Sequence, residues 1–75
     1  MELKEAQRFM KAARVRAGYS QEQIAEKLGV ARNTVVYYEQ KPWSLPLECF
    51  VILSELYGED FTNVFMAEKL YHKYN

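Results

Sequence analysis

From Gly18 onward the chain reads Gly18-Tyr19-Ser20-Gln21-Glu22-Gln23-Ile24-Ala25-Glu26-Lys27-Leu28-Gly29, then Val30-Ala31-Arg32-Asn33-Thr34-Val35-Val36-Tyr37-Tyr38-Glu39. Two short helical patterns meet at Gly29. Ser20 and Gln23 make an S-x-x-Q capping box, which predicts a helix starting at Ser20. Ile24, Ala25 and Leu28 then line one helical face. Gly29 closes this helix, because glycine takes the left-handed backbone a tight turn demands. A second helix is predicted from about Arg32 to Gln40. Val35 and Tyr38, with Val30, face the core, and Arg32, Asn33, Val36 and Tyr37 fall on the outer side.

Upstream, Leu3, Ala6, Met10, Ala13 and Ala17 step by three and four, which predicts a helix from about Leu3 to Ala17 capped by Gly18. Downstream, Lys41-Pro42-Trp43-Ser44-Leu45-Pro46 holds two prolines and is read as a loop. A fourth helix is expected over about Pro46 to Tyr57, with Phe50, Leu53 and Leu56 or Tyr57 inward and Gly58 as its stop. Asp60 is a fair N-cap for a fifth helix with Phe61, Val64 and Phe65 on its inner face. Met66, Leu70, Tyr71 and Tyr74 continue at helical spacing. The expected fold is therefore all-α, with five helices and no strands.

Seventy-five residues, 49% of them hydrophobic, suit one small folded domain spanning 1–75 rather than a disordered tail. Such a chain buries only about 60% of the surface its unfolded form exposes, so modest stability is expected unless it oligomerises. The single cysteine, Cys49, sits in an apolar run and is read as a small buried hydrophobe. It makes no plausible zinc set with His72, so no metal or cofactor is expected. No apolar run approaches the length of a membrane span, and no secretory signal pattern opens the chain. A cytoplasmic, reducing setting is expected. No nucleophile with a base and no glycine-rich phosphate loop is found, which argues against an enzyme.

The net charge is zero, whereas DNA-binding domains are usually basic. The average hides a polarity. Residues 1–41 carry Lys4, Arg8, Lys11, Arg14, Arg16, Lys27, Arg32 and Lys41 against Glu2, Glu5, Glu22, Glu26 and Glu39, an excess of three positive charges. Residues 42–75 carry Lys69 and Lys73 against Glu48, Glu55, Glu59, Asp60 and Glu68, an equal negative excess. Chance scatter in a small protein gives the same arithmetic, but the positive half is the one that holds the paired helices.

Taken in order, Arg14, Gly18, Ser20-Gln21, Ile24-Ala25, Leu28-Gly29-Val30, Glu39, Pro46, Gly58 and Val64-Phe65 resemble the phage repressor and Cro-type helix-turn-helix family over roughly residues 10–65. The resemblance implies a repressor-like fold, with helices 2 and 3 forming the helix-turn-helix and helix 3 entering the DNA major groove. It implies a buried ion pair between Arg14 and Glu39, structural in role; the alternative is two solvated charges. It implies that Gln21 contacts a phosphate and braces the recognition helix, helped by the free N–H groups at the helix start.

The base-facing positions that match are Ala31, Arg32, Asn33, Val36 and Tyr37. Their chemistry suits a major groove: Arg32 can hold guanine O6 and N7, and Asn33 can hold adenine N6 and N7. Ala31 and Val36 can meet thymine methyls, and Tyr37 can reach a phosphate or pack along the groove. Thr34 is read as a packing contact. Lys41 fits a phosphate contact. Trp43 fits one equally with sealing the core edge.

Two positions depart from the family pattern. Ala31 stands where Ser or Thr usually caps helix 3, and Lys41 stands where Gly is usual, so strain is expected there. The segment before residue 10 is also longer than typical, and the tail after Phe65 is aromatic. Family members commonly bind half-sites as two-fold dimers. The candidate dimer surface is Met66, Leu70, Tyr71 and Tyr74, unless Leu3, Ala6 and Phe9 of helix 1 cover it. The function expected is sequence-specific double-stranded DNA binding by a small transcriptional regulator, a repressor of phage or mobile-element type. No ligand-sensing domain is expected in 75 residues. The competing reading is a protein-interaction module of the same fold, an antitoxin or anti-repressor partner.

Overall fold

A computed structural model describes residues 3–60. Among them are four α-helices: α1 (Leu3–Arg16), α2 (Gln21–Leu28), α3 (Arg32–Gln40) and α4 (Leu47–Tyr57). A single 3₁₀ turn, Pro42–Ser44, lies between α3 and α4. The described residues contain no strand. The expected fifth helix, with Phe61, Val64, Phe65, Met66, Leu70, Tyr71 and Tyr74, lies outside the described residues.

The core forms where the apolar stripes of these helices meet. Ala6, Met10 and Ala13 of α1 are buried at spacings of four and three, the period that keeps side chains on one helical face. Ile24 and Ala25 of α2, Val35 of α3, Leu45, and Cys49, Leu53 and Tyr57 of α4 close over them. Ile24 is wholly buried, a burial that stabilises by about 1.5–3 kcal/mol. On α4 the inward residues are Cys49, Leu53 and Tyr57, spaced by four. Leu53 is inward as expected; of the alternatives Leu56 and Tyr57 it is Tyr57 that is buried, while Phe50, expected inward, is only half-buried.

The helix ends follow local chemistry. At α2 the Gln23 N–H donates to Ser20 Oγ (3.1 Å) and the Ser20 N–H donates to Gln23 Oε1 (2.8 Å), so the capping box is complete. Gly29 ends α2 in the left-handed region at φ 69°, and the Val30 N–H donates back to the Ala25 carbonyl at 2.9 Å. α1 stops at Arg16, one residue short of the expected Ala17, because Gly18 (φ 86°) redirects the chain and the Tyr19 N–H donates to the Arg14 carbonyl.

Three expectations around α3 and α4 change. Lys41 is not left-handed: it sits at φ −129°, ψ 75°, without the strain expected of a lysine in a glycine position. The reason is Pro42, which steers the preceding residue towards extended backbone. The Lys41–Pro46 loop contains the 3₁₀ turn, in which the Ser44 N–H and Oγ both donate to the Lys41 carbonyl. Buried Pro42 and Leu45 anchor this turn to the core. α4 begins at Leu47 rather than Pro46, because Pro46 is extended (ψ 151°) and serves as the N-cap.

Candidate nucleic-acid interface

α3 starts without a side-chain cap. Ala31 has no oxygen to offer, so the first turn is closed only by its carbonyl, which accepts from the Thr34 N–H at 3.0 Å. Rigidity comes from beneath instead. Arg14, at the end of α1, donates from Nε to Glu39 Oε2 at 2.6 Å and from Nη2 to Glu39 Oε1 at 3.4 Å. Its Nη1 donates to the Tyr19 carbonyl at 2.9 Å. Both residues of the pair are buried, Arg14 to 7% exposure and Glu39 to 9%.

The pair does not end there. Gln21 Nε2 donates to Glu39 Oε1 at 3.0 Å, and Gln21 Oε1 accepts from Arg32 Nη2 at 3.1 Å. One connected chain, Arg14–Glu39–Gln21–Arg32, therefore runs from α1 through the last turn of α3 and the first turn of α2 to the first residue of α3. Gln21 thus bonds to both ends of α3, donating from its amide nitrogen and accepting at its amide oxygen. Tyr57 lies close enough to this chain for its hydroxyl to be perturbed by it. Burial raises its pKa most, the Glu39 charge raises it further, and Arg14 partly opposes both.

The outward face of α3 carries the residues singled out above. Ala31, Arg32 and Asn33 are exposed, and Tyr37 keeps 47% of its surface in contact with solvent. Val36 is half-buried at the wall of an open pocket of about 610 Å³, which it shares with Gln21, Glu39, Lys41 and Trp43. Lys41 Nζ lies 5.2 Å from the centre of the Tyr37 ring, a cation–π distance. Tyr37 and Tyr38 rings pack tilted at 6.5 Å. Trp43, in the 3₁₀ turn, is half-buried and lines the same pocket.

Sequence reasoning passed over Gln7 and Lys11. Gln7 Nε2 donates to the Gln40 carbonyl at 2.6 Å, fastening α1 to the C-terminal end of α3. Lys11 shares the pocket with Lys41 and Val36. The signal was present, since Gln7, Lys11 and Arg14 recur at four and three and so share a face of α1. It is weak, because such spacing does not say what the face meets.

Among the described residues no group of His, Cys, Asp and Glu could hold a metal ion. No described helix is long and apolar enough to cross a membrane.

Two helices joined at a left-handed glycine, with a polar and aromatic outer face on the second, define the helix-turn-helix class of DNA-binding proteins. A family model described as Helix-turn-helix matches residues 10–62, and the chain belongs to this Cro/C1-type helix-turn-helix family. The family's function is DNA binding of the transcription-regulator type. No curated protein and no solved structure matches the chain significantly.

Proposed function

We propose that this chain is a sequence-specific double-stranded DNA-binding regulator, a repressor of phage or mobile-element type, that reads the major groove with α3. The observation that carries the proposal is the outer face of α3. Arg32, Asn33 and Tyr37 are exposed beside Val36, on a helix braced at both ends by the Arg14–Glu39–Gln21–Arg32 chain. A purely solvated face normally carries Lys and Glu; this one carries groups that match base edges and thymine methyls.

In the proposed mechanism Arg32 and Asn33 make bidentate contacts to guanine and adenine, and Ala31 and Val36 meet thymine methyls. Tyr37 lies along the groove wall. Gln21, Lys41 and Trp43 take the phosphates that fix the register. Gln21 has one amide hydrogen left after its bond to Glu39, which suits it to a phosphate oxygen without dismantling the brace. One such helix reads few base pairs, so the working unit is a two-fold dimer on half-sites about one DNA turn apart.

A second reading has its own observation. α4 exposes Leu47, Val51 and Ile52, and the net charge of the chain is zero; both suit a protein-interaction module such as an antitoxin or anti-repressor partner. Selection from random duplex DNA at about 0.15 M salt separates the two. Enrichment of a two-fold symmetric sequence supports the dimeric regulator. Absence of enrichment by folded protein refutes it and favours the interaction module.

A further inference from the structure

The cations of α1 divide into two groups. Arg14 is buried against Glu39, and Arg16 pairs with Glu59. Lys4, Arg8 and Lys11 are exposed and form no ion pair or hydrogen bond among the described residues. They recur at four and three residues, so they share one stripe of the helix. This placement does not serve the helix itself. Lys4 and Arg8 are like charges one turn apart, which is mildly unfavourable, and the N-terminal end of a helix favours anions over cations. Glu5, three residues before Arg8, makes no ion pair with it. The stripe is built to meet negative charge from outside.

Its position says which negative charge. Lys11 lines the same pocket as Val36, Lys41 and Gln21, and the Gln7 bond to the Gln40 carbonyl holds this edge of α1 against the C-terminal end of α3. The stripe therefore begins at the edge of the proposed DNA face and runs outward along α1. Lys4 and Arg8 lie before residue 10, where the family match begins. From Lys4 to Lys11 the helix rises about 10 Å. Phosphates on one strand advance about 3.4 Å each along the duplex axis, so the stripe spans about three of them.

We propose that Lys4, Arg8 and Lys11 form a second backbone-contacting surface, which grips phosphates of the duplex flanking the base pairs read by α3. The surface rests on the DNA-binding reading above and adds to it a longer footprint and a steeper salt dependence. It carries no sequence information and tightens binding to every duplex alike.

The test compares the full chain with the triple variant Lys4→Gln, Arg8→Gln, Lys11→Gln on a selected operator duplex and on an unrelated duplex. All three side chains are exposed, so the variant should keep its melting temperature. Each lost phosphate contact should flatten the log–log salt slope by about 0.9. With all three lost, the affinity ratio of wild type to variant should shrink about 40-fold between 0.05 and 0.2 M salt. The loss should be equal on both duplexes. Trimming the flanks of the operator should weaken the wild type and leave the variant unchanged. Operator binding by the variant with the wild-type slope would overturn the proposal while leaving α3 as the reader. Failure of the wild type to bind any duplex would overturn both.

Discussion

Glu39→Leu is the most informative single change, because it strikes the node that joins three elements. Glu39 accepts from Arg14 through both carboxylate oxygens and from Gln21 through Oε1. Its removal leaves the Arg14 guanidinium, 7% exposed, with only the Tyr19 carbonyl of the partners described above. Breaking a buried pair in this way costs about 3–5 kcal/mol. At roughly 0.05–0.15 kcal/mol per residue, a chain of this length holds about 4–11 kcal/mol in total. The loss is therefore a large share of the whole. For a domain of this size each kcal/mol moves Tm by about 4–8 °C, so a fall of at least about 12 °C is expected.

Arg14→Met is expected to behave similarly. The double variant Arg14→Met, Glu39→Leu should lie well above the sum of the two, because no uncompensated buried charge remains. Thermal and urea unfolding followed by circular dichroism measure all four proteins. Single variants each costing less than about 1 kcal/mol, with additive effects in the double, would refute the reasoning and reduce the pair to a surface contact.

Further outcomes are expected. Arg32→Ala and Asn33→Ala should each relax selection at one base pair, by about 1–3 kcal/mol; a selected consensus identical to that of the wild type would dismiss their base-reading role. Gly29→Ala should cost about 1–2 kcal/mol in urea unfolding. The added methyl meets open space, so the penalty is that of left-handed backbone alone, and an unchanged midpoint would contradict it. Ala31→Ser should stabilise by about 1 kcal/mol by supplying the oxygen that α3 lacks at its start; a destabilised variant would show that this turn cannot use a cap. Tyr57 is held protonated in the folded state, its pKa raised above the ordinary 10.0, so its contribution is fully present below pH 10 and is lost as pH rises beyond it. Stability measured from pH 8 to 11 should fall at the alkaline end, and Tyr57→Phe should flatten that fall; an equal slope in the variant would assign it elsewhere.

The parts of this molecule set by near neighbours could be read from the sequence. Ser20 and Gln23 are three residues apart, so their reciprocal bonds follow from local geometry. Gly29 and Gly58 mark helix ends because only glycine takes those dihedral angles without strain. Lys41 departs from the expectation that the family's glycine suggests, because its backbone is controlled locally by Pro42 immediately after it. The coupling of Gln21 to Arg32, and of Gln7 to the Gln40 carbonyl, was not legible. These bonds span 11 and 33 residues and exist only once the helices have packed. The residues proposed to face DNA could be picked out as an outer helical face, and the family resemblance implied that Arg14, Glu39 and Gln21 brace it, but the acceptor that Gln21 offers to Arg32 could not be read.

The bond from Arg32 to Gln21 bears on how sharply a regulator of this kind would discriminate. A wrong base is rejected chiefly when it strands a donor that has nowhere else to go. On the proposed reading, Arg32 has somewhere to go: facing an unsuitable base, it keeps Gln21 Oε1 as its acceptor. The fallback softens the penalty for mismatch at that base pair, towards the lower end of the usual ~1–3 kcal/mol. Gln21→Ala removes the fallback along with a phosphate contact. That variant should bind every duplex more weakly yet choose more strictly at the Arg32 position, and unchanged or laxer choice there would dismiss the idea. The brace would thus trade stringency for tolerance of operators that differ by one base.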